Sequence, residues 1–298
     1  MLDHDVFLDV PSHPAILARP GSVESTEILQ GLLGAIVARD VRVDRYTIVG
    51  ASGRARHSTP DVVDARNGLA LRYGAFTILV ENRQPRRAET EAERLRLRAA
   101  QERAFWAVLE WLDQKHGLFT SLIALGPPPP GSPVPVQFKY SDMGHGLRLA
   151  CLDARQGRPA CVTFLRYSAS LVVRRTVRLP VGYAVPSGLE ALTGVLHRHG
   201  FVSTKCRGGE LCPVEKLRVE QARPSHRPGR PARKVVLAAN RMSMELDRYE
   251  VFLTRQSGGD ALAVFLEPES KQGLHRFAAM QVPLLASSWY PVLRVFDG

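Results

Sequence analysis

Cysteine is scarce in this chain: four residues in 298 (Cys151, Cys161, Cys206 and Cys212), with no C-x-x-C pair among them. That excludes a disulfide-stapled scaffold and the common paired-thiolate zinc knuckles. Aromatic residues make up only 7%. No uninterrupted apolar run approaches the ~20 residues that a membrane-spanning helix needs, so no membrane partner is expected. The opening residues Met1-Leu2-Asp3-His4-Asp5 lack the basic start and apolar stretch of a secretory signal. As written, the chain is expected in the cytoplasm; a secreted or periplasmic location follows if the true start lies upstream. What is present suffices for folding. Hydrophobic residues reach 45% and charged residues 23%, which excludes wholesale disorder and allows two ordinary domains.

The net charge of +11 is unevenly placed. Residues 1–125 hold 16 Lys and Arg against 16 Asp and Glu; residues 126–298 hold 24 against 13, so the whole excess of 11 lies there. The step falls at Gly126-Pro127-Pro128-Pro129-Pro130-Gly131-Ser132-Pro133, a stiff polyproline-like segment. A boundary is therefore expected near residue 126, with 126–134 as a Pro-rich linker. A uniformly basic nucleic-acid binder would not divide its charge in this way.

Along the first part, Val6–Val10 reads as a buried strand followed by a polar turn, Pro11-Ser12-His13-Pro14. Ile28, Leu29, Leu32, Leu33, Ile36 and Val37 recur at helical spacing, predicting a helix over 24–39 with one buried face. Arg45–Val49 is strand-like, and 54–67 is a polar stretch leading into Leu69–Leu71. Ala75–Val80 is a continuous apolar run, which predicts a strand covered on both faces as in a parallel sheet. Residues 88–115 predict one long helix, with Phe105, Trp106, Leu109 and Leu112 on its apolar side. The first part is thus α/β. The second part reads as mostly β: strands over 134–139, 147–152, 160–166, 170–179, 181–185, 249–254 and 261–266, with a helix over 187–198 ending at Gly200. Arg223–Lys234 carries five positive charges with three prolines and a glycine, an exposed loop.

Glu81 stands at the carboxyl end of the most apolar strand, where ligands bind in open parallel sheets. A carboxylate there can act as a general base; the alternative is a solvent-facing glutamate paired with Arg83 or Arg72. His197-x-His199 with Cys206 and Cys212 can be drawn as a zinc site, but five residues between the cysteines is a loose spacing. Satisfied or solvent-facing histidines with buried thiols fit better.

The segment Arg66-Asn67-Gly68-Leu69-Ala70-Leu71-Arg72-Tyr73-Gly74, running through Ala75–Val80 into Glu81-Asn82-Arg83, resembles the signature of carboxypeptidase A-like zinc metallopeptidases. In those proteins an Arg-Asn, Gly-Leu-Arg-Gly stretch enters an apolar strand ending in Leu-Val-Glu-Thr-Arg. This chain departs by inserting Ala70 and Tyr73 and by Asn82 in place of Thr. At the other end, Leu262–Ser270, Gly273-Leu274 and Tyr290-Pro291-Val292-Leu293-Arg294 resemble the tail of large bacterial members, with Gly182–Pro186 and Leu196–Gly200 fitting the same tail.

The resemblance implies a metallocarboxypeptidase hydrolysing C-terminal peptide bonds, with Zn²⁺ as cofactor, Glu81 as general base and peptide or protein C-termini as substrates. Arg72 is a candidate substrate-binding residue, although the family's substrate-carboxylate arginine precedes the third ligand and would lie upstream of this chain. Such a site needs an H-x-x-E zinc pair, yet none of the nine histidines has Glu three positions on. The family's third ligand ends a Phe-Leu-Asp-Leu-His strand; Phe7-Leu8-Asp9-Val10-Pro11 puts proline there, with His13 two residues later as a substitute metal ligand. Zinc binding by this chain alone is therefore expected to be weak or absent, and the chain inactive alone. Residues 1–125 read as the later half of the catalytic domain, a partial mixed or parallel sheet with helices. Residues 135–298 read as a basic, β-rich appended domain. An upstream segment, or a separate chain completing the sheet, would cover the edge that half a sheet exposes; a decayed relative is the third option. Two other classes compete. The basic half suits a non-catalytic module for an anionic polymer or cell-wall fragment. Nucleic-acid binding through Arg223–Lys234 is disfavoured, because that segment lacks the aromatics on which bases stack.

Overall fold

The computed structural model describes residues 4–19, 25–49, 54–57, 61–62, 64–82, 90–123, 126, 128–141, 146–152, 159–168, 170–206, 209–223, 234–282 and 284–297. They fall into two compact units. The first gathers Met1–Ala70, Ala75–Leu125 and Lys139–Val172; the second gathers Leu71–Gly74, Gly126–Phe138 and Val173–Gly298. The chain passes from first to second at Gly126, where the charge step lies, but returns to the first for residues 139–172. Part of the proline-rich segment is bonded into the second unit. Its Pro133 begins a strand, where a missing N–H costs least, and the Gly131 N–H donates to the Leu179 carbonyl at 2.7 Å.

The early elements are β1 (Val6–Asp9), α1 (Pro14–Leu17), α2 (Ser25–Val37), β2 (Val43–Arg45), β3 (Thr47–Val49), β4 (Arg54–His57), α3 (Ala65–Tyr73), β5 (Leu79–Asn82), α4 (Glu91–Gln114) and α5 (His116–Ile123). After them come β6 (Pro133–Ser141), β7 (Leu147–Leu152), β8 (Pro159–Phe164), β9 (Arg166–Ser168), β10 (Ser170–Arg178), β11 (Gly182–Pro186) and α6 (Glu190–Arg198). The last group is β12 (Ser203–Thr204), β13 (Leu211–Arg223), β14 (Lys234–Glu245), β15 (Tyr249–Leu253), α7 (Ala261–Leu266), β16 (Ser288–Trp289) and β17 (Leu293–Val295). Helices and strands mix, and so do parallel and antiparallel pairings: the fold class is α/β with mixed sheets.

In the first unit β1 is the middle of a three-stranded sheet, parallel to β2 and antiparallel to β5. The expected parallel strand over 75–80 is thus corrected. Only Leu79–Asn82 pairs, it runs against β1, and Glu81 lies within the strand opposite Phe7. A continuous apolar run reports burial, not strand direction. Val6, Leu8 and Val10 from the β1 segment pack with Ile28, Leu29, Leu32 and Ile36 of α2 and Ala100, Ala104, Ala107 and Val108 of α4. Each buried leucine or isoleucine contributes about 1.5–3 kcal/mol.

Helix α4 starts on a capping box: the Thr90 hydroxyl accepts from the Glu93 N–H at 3.3 Å, and the Glu93 carboxylate accepts from the Thr90 N–H at 2.8 Å. The expected apolar side is overturned at three of its four positions, Leu112 alone packing against the core. Phe105, Trp106 and Leu109 are exposed, while Leu97, Ala100, Ala104, Ala107 and Val108 face the core. Small alanines admit α2 closely, and Gly31 of α2 makes the notch that receives Trp111: a Cβ there would lie 2.6 Å from the indole. The expected polar stretch 54–67 holds β4 at its start, and helix α3 begins at Ala65 near its end. Gly68 lets the helix press on the preceding turn, since a Cβ would stand 2.5 Å from the Val62 carbonyl oxygen.

The second unit is built on an antiparallel sheet ordered β12-β15-β11-β17-β13-β14, with β16 also on β13. The hairpin β13–β14 runs from the Leu211–Glu245 pair to Arg223–Lys234, with a bulge between Val219 and Gln221. Residues 224–233 of the expected basic loop lie outside the described residues. The segment 261–266, expected as a strand, is helix α7, buried at every position. A short run of uniformly apolar residues suits a buried strand or a buried helix equally, and its partners decide.

Candidate functional site

A buried polar cluster forms in the first unit where β1 ends. Asp9 closes that strand with no exposure at all. Arg66, in the first turn of α3, binds Asp9 through Nη1 and also grips Asp64, Nε to Oδ1 at 2.8 Å and Nη2 to Oδ2 at 2.7 Å. The guanidinium lies over the Tyr46 ring, 5.6 Å from its centre. His57, at the end of β4, places Nε2 3.6 Å from Asp9 Oδ1. Burial and the nearby Arg45 charge push the His57 imidazole down to about 4, so it is neutral at physiological pH. The Val10 N–H donates to Asp9 Oδ1 at 3.0 Å. Asp9 is thus fully committed to holding the cluster.

The next residue of α3 fixes the turn after β1. Asn67 Oδ1 accepts from the backbone N–H groups of Ser12 and His13, at 2.8 and 2.9 Å. His13 caps α1, its Nδ1 accepting from the Ala15 N–H at 3.1 Å, with Pro14 occupying the first helical position where no N–H is needed. Burial, with the Arg19 charge added, pushes His13 down to about 3.

Glu81 projects from β5, directly beside β1, and is exposed. Its charge reaches the same cluster. Burial first and then the Glu81 carboxylate raise the Tyr46 phenol, and Glu81 favours the charged form of Arg66 against the desolvation that lowers it. The Thr77 hydroxyl donates to the Arg66 carbonyl at 2.9 Å, tying the approach to β5 onto α3. A solvent-open carboxylate can accept a proton from water. Asp9, enclosed and fully paired, cannot serve that role.

Two expected roles meet a different geometry. Arg72 belongs to the second unit, where Nε donates to the His199 carbonyl at 2.7 Å and Nη1 to the Ser257 carbonyl at 2.5 Å. Its guanidinium stacks 3.9 Å above the Phe201 ring. A Cβ at Gly258, whose φ is +64°, would collide with the Arg72 backbone. The side chain therefore serves packing and carbonyl capture, with those two donors committed to backbone. His13 faces a tautomer constraint. With Nδ1 accepting from an amide, the ring proton sits on Nε2, so the ring has no lone pair to offer a cation without releasing Ala15. Arg83, the other suggested partner of Glu81, lies outside the described residues.

The described residues at the expected positions do not make a zinc site. Pro11 has no side-chain donor, His13 is engaged as a cap, and among the described residues no group of three or more His, Cys, Asp or Glu is placed to hold a metal. The His197 reading fares likewise: Nδ1 meets the Phe201 carbonyl at 3.1 Å and Nε2 the Glu250 carboxylate at 2.8 Å.

The tail motifs converge in the second unit. Arg294 of β17 binds Glu267 through two parallel contacts and Glu215 of β13 through Nη1 at 2.6 Å. The Tyr183 hydroxyl of β11 donates to Glu267 Oε1 at 2.7 Å, and the Tyr290 hydroxyl donates to the Leu266 carbonyl at 2.7 Å. Every carboxylate in this network is paired, as a structural ion cluster requires. Sequence reasoning missed Asp9, His57, Asp64, Arg66, Glu215 and Glu267 as cluster members. Asp9, Arg66, Asn67 and Glu267 all sit inside the motif stretches, which was the available signal; His57, Asp64 and Glu215 carry none. Compared with known proteins, the chain matches no family model, no curated protein and no solved structure.

Proposed function

We propose that this chain is the later part of a zinc carboxypeptidase-like catalytic domain joined to a β-rich appended domain, with Glu81 as the general base and peptide C-termini as substrates. One observation carries the reading. The two motif stretches, Phe7–Pro11 and Arg66–Asn82, lie far apart in sequence yet form adjacent strands in register, Phe7 opposite Glu81. Asn67 then bonds the turn that follows β1. Glu81 takes the proton of the attacking water and returns it to the leaving amine. The cluster of Asp9, Arg66 and Asp64 holds the strand ends rigid around it. The H-x-x-E zinc pair has to come from residues outside this chain, so hydrolysis is proposed for an assembly and not for the chain alone.

The test is to join the chain, in cis or as a co-expressed partner, to a first-half domain carrying H-x-x-E, then follow release of C-terminal residues from blocked dipeptides. Glu81→Gln should lower kcat by about 100-fold or more with zinc content unchanged. An effect below about 3-fold would assign Glu81 to surface ion pairing only. His13→Asn, which keeps a cap, should leave zinc content unchanged if His13 is a structural cap, and release zinc if it is a ligand.

A further inference from the structure

Two thiols in the second unit are placed for chemistry that the proposed hydrolysis does not use. Cys206 follows β12, and Cys212 is the second residue of β13, opposite Met244. Their sulfurs stand 3.2 Å apart, both are reduced, and both are partly open to solvent. They edge the apolar cluster of Val214, Leu246, Val251 and Val295. A disulfide needs about 2.05 Å between sulfurs, so a closure of about 1 Å across a short connection joins them. We propose that Cys206 and Cys212 form a redox-responsive dithiol, oxidised by low-molecular-weight disulfides to a bond that ties the β12–β13 connection.

The step balances through ordinary exchange. One cysteine of the pair, as its thiolate, attacks one sulfur of the small disulfide, forming a mixed disulfide and releasing one small thiolate, which takes up the proton that cysteine gave up. The other cysteine then loses its proton and attacks the sulfur that carries the small thiol, closing the protein disulfide and releasing the second small thiol. Two protein thiols are oxidised and one small disulfide is reduced. Burial, with contact to Cys212 added, pushes the Cys206 thiol up to about 11. It stays protonated at neutral pH. Cys161 is exposed and supplies an internal control.

The experiment exposes the full native chain to oxidised glutathione, blocks remaining thiols with iodoacetamide and maps cysteines by mass spectrometry. The expected product is an intramolecular Cys206–Cys212 link, about 2 Da lighter than the dithiol peptide pair, and an increased Tm. Cys206→Ser should instead trap glutathione on Cys212. The proposal is overturned if both cysteines in the wild-type chain remain alkylated under conditions that modify Cys161. It is equally overturned if each carries its own glutathione.

Discussion

Arg294 holds Glu267 in a two-pronged ion pair, Nε to Oε1 at 2.8 Å and Nη2 to Oε2 at 2.6 Å. Glu267 is fully buried, and opposed charge from it and from Glu215 keeps Arg294 well above its ordinary range despite burial. The pair links the end of α7 to β17, and through Glu215 to β13. A lone buried charge is costly, so removing one member should cost about 3–5 kcal/mol. Glu267→Gln should therefore lower the urea midpoint sharply. Tyr183→Phe, which deletes one hydrogen bond to the same carboxylate, should cost about 1 kcal/mol. Equal losses in the two variants would mean that the charge pair contributes nothing beyond packing.

Stability should fall in mild acid. His13 and His57 are held neutral with values of about 3 and about 4, below the ~6.5 of an unfolded chain. Between those values only the unfolded state binds the proton. Their stability contribution is complete above pH ~6.5 and is lost as pH drops through the window, at about 1.4 kcal/mol per pH unit for each ring. Buried His275, also lowered to about 4, adds to the slope. Urea unfolding at pH 7.5 and 5.0 measures it. His57→Gln should flatten the dependence, and an unchanged slope would remove His57 from the account.

Two glycines of α2 should respond to the same substitution with opposite sign. A Cβ at Gly34 meets nothing within 4 Å, so Gly34→Ala should stabilise by up to about 1 kcal/mol through helix propensity. At Gly31 the Cβ would press on Trp111 at 2.6 Å, so Gly31→Ala should destabilise by about 1–3 kcal/mol as α4 is pushed away. Thermal melts of both variants decide; stabilisation by both would show that α2 and α4 do not approach so closely.

Local signals made part of this protein legible. The 3.6-residue stripe of Ile28, Leu29, Leu32 and Ile36 specifies an amphipathic helix wherever it is placed, and the structure buries those residues. Gly200, expected to stop α6, takes a φ of +76° that glycine adopts without strain. Thr90 and Glu93 carry the start of α4 in four residues. The candidate site was legible only as motif stretches, because which carboxylate is enclosed and which is open depends on neighbours from other elements. Asp9 and Glu81 lie on adjacent strands, yet one is sealed by Arg66 and His57 and the other faces water.

The sequence by itself determined what depends on a few neighbouring residues: caps, turns and the stripe of α2, while the long strands β13 and β14 were not read from it. Only the tertiary structure decided the rest. Leu262–Leu266 became helix because both backbone forms bury an apolar run, and its surroundings chose between them. β5 ran against β1 because apolar content carries no strand direction. α4 turned its alanines inward and left Phe105 and Trp106 outside, because a close helix contact rewards small residues and the Gly31 notch accepts Trp111 alone. Arg72 went to backbone carbonyls because a guanidinium takes the acceptors that the fold brings to it, and no local pattern names those acceptors.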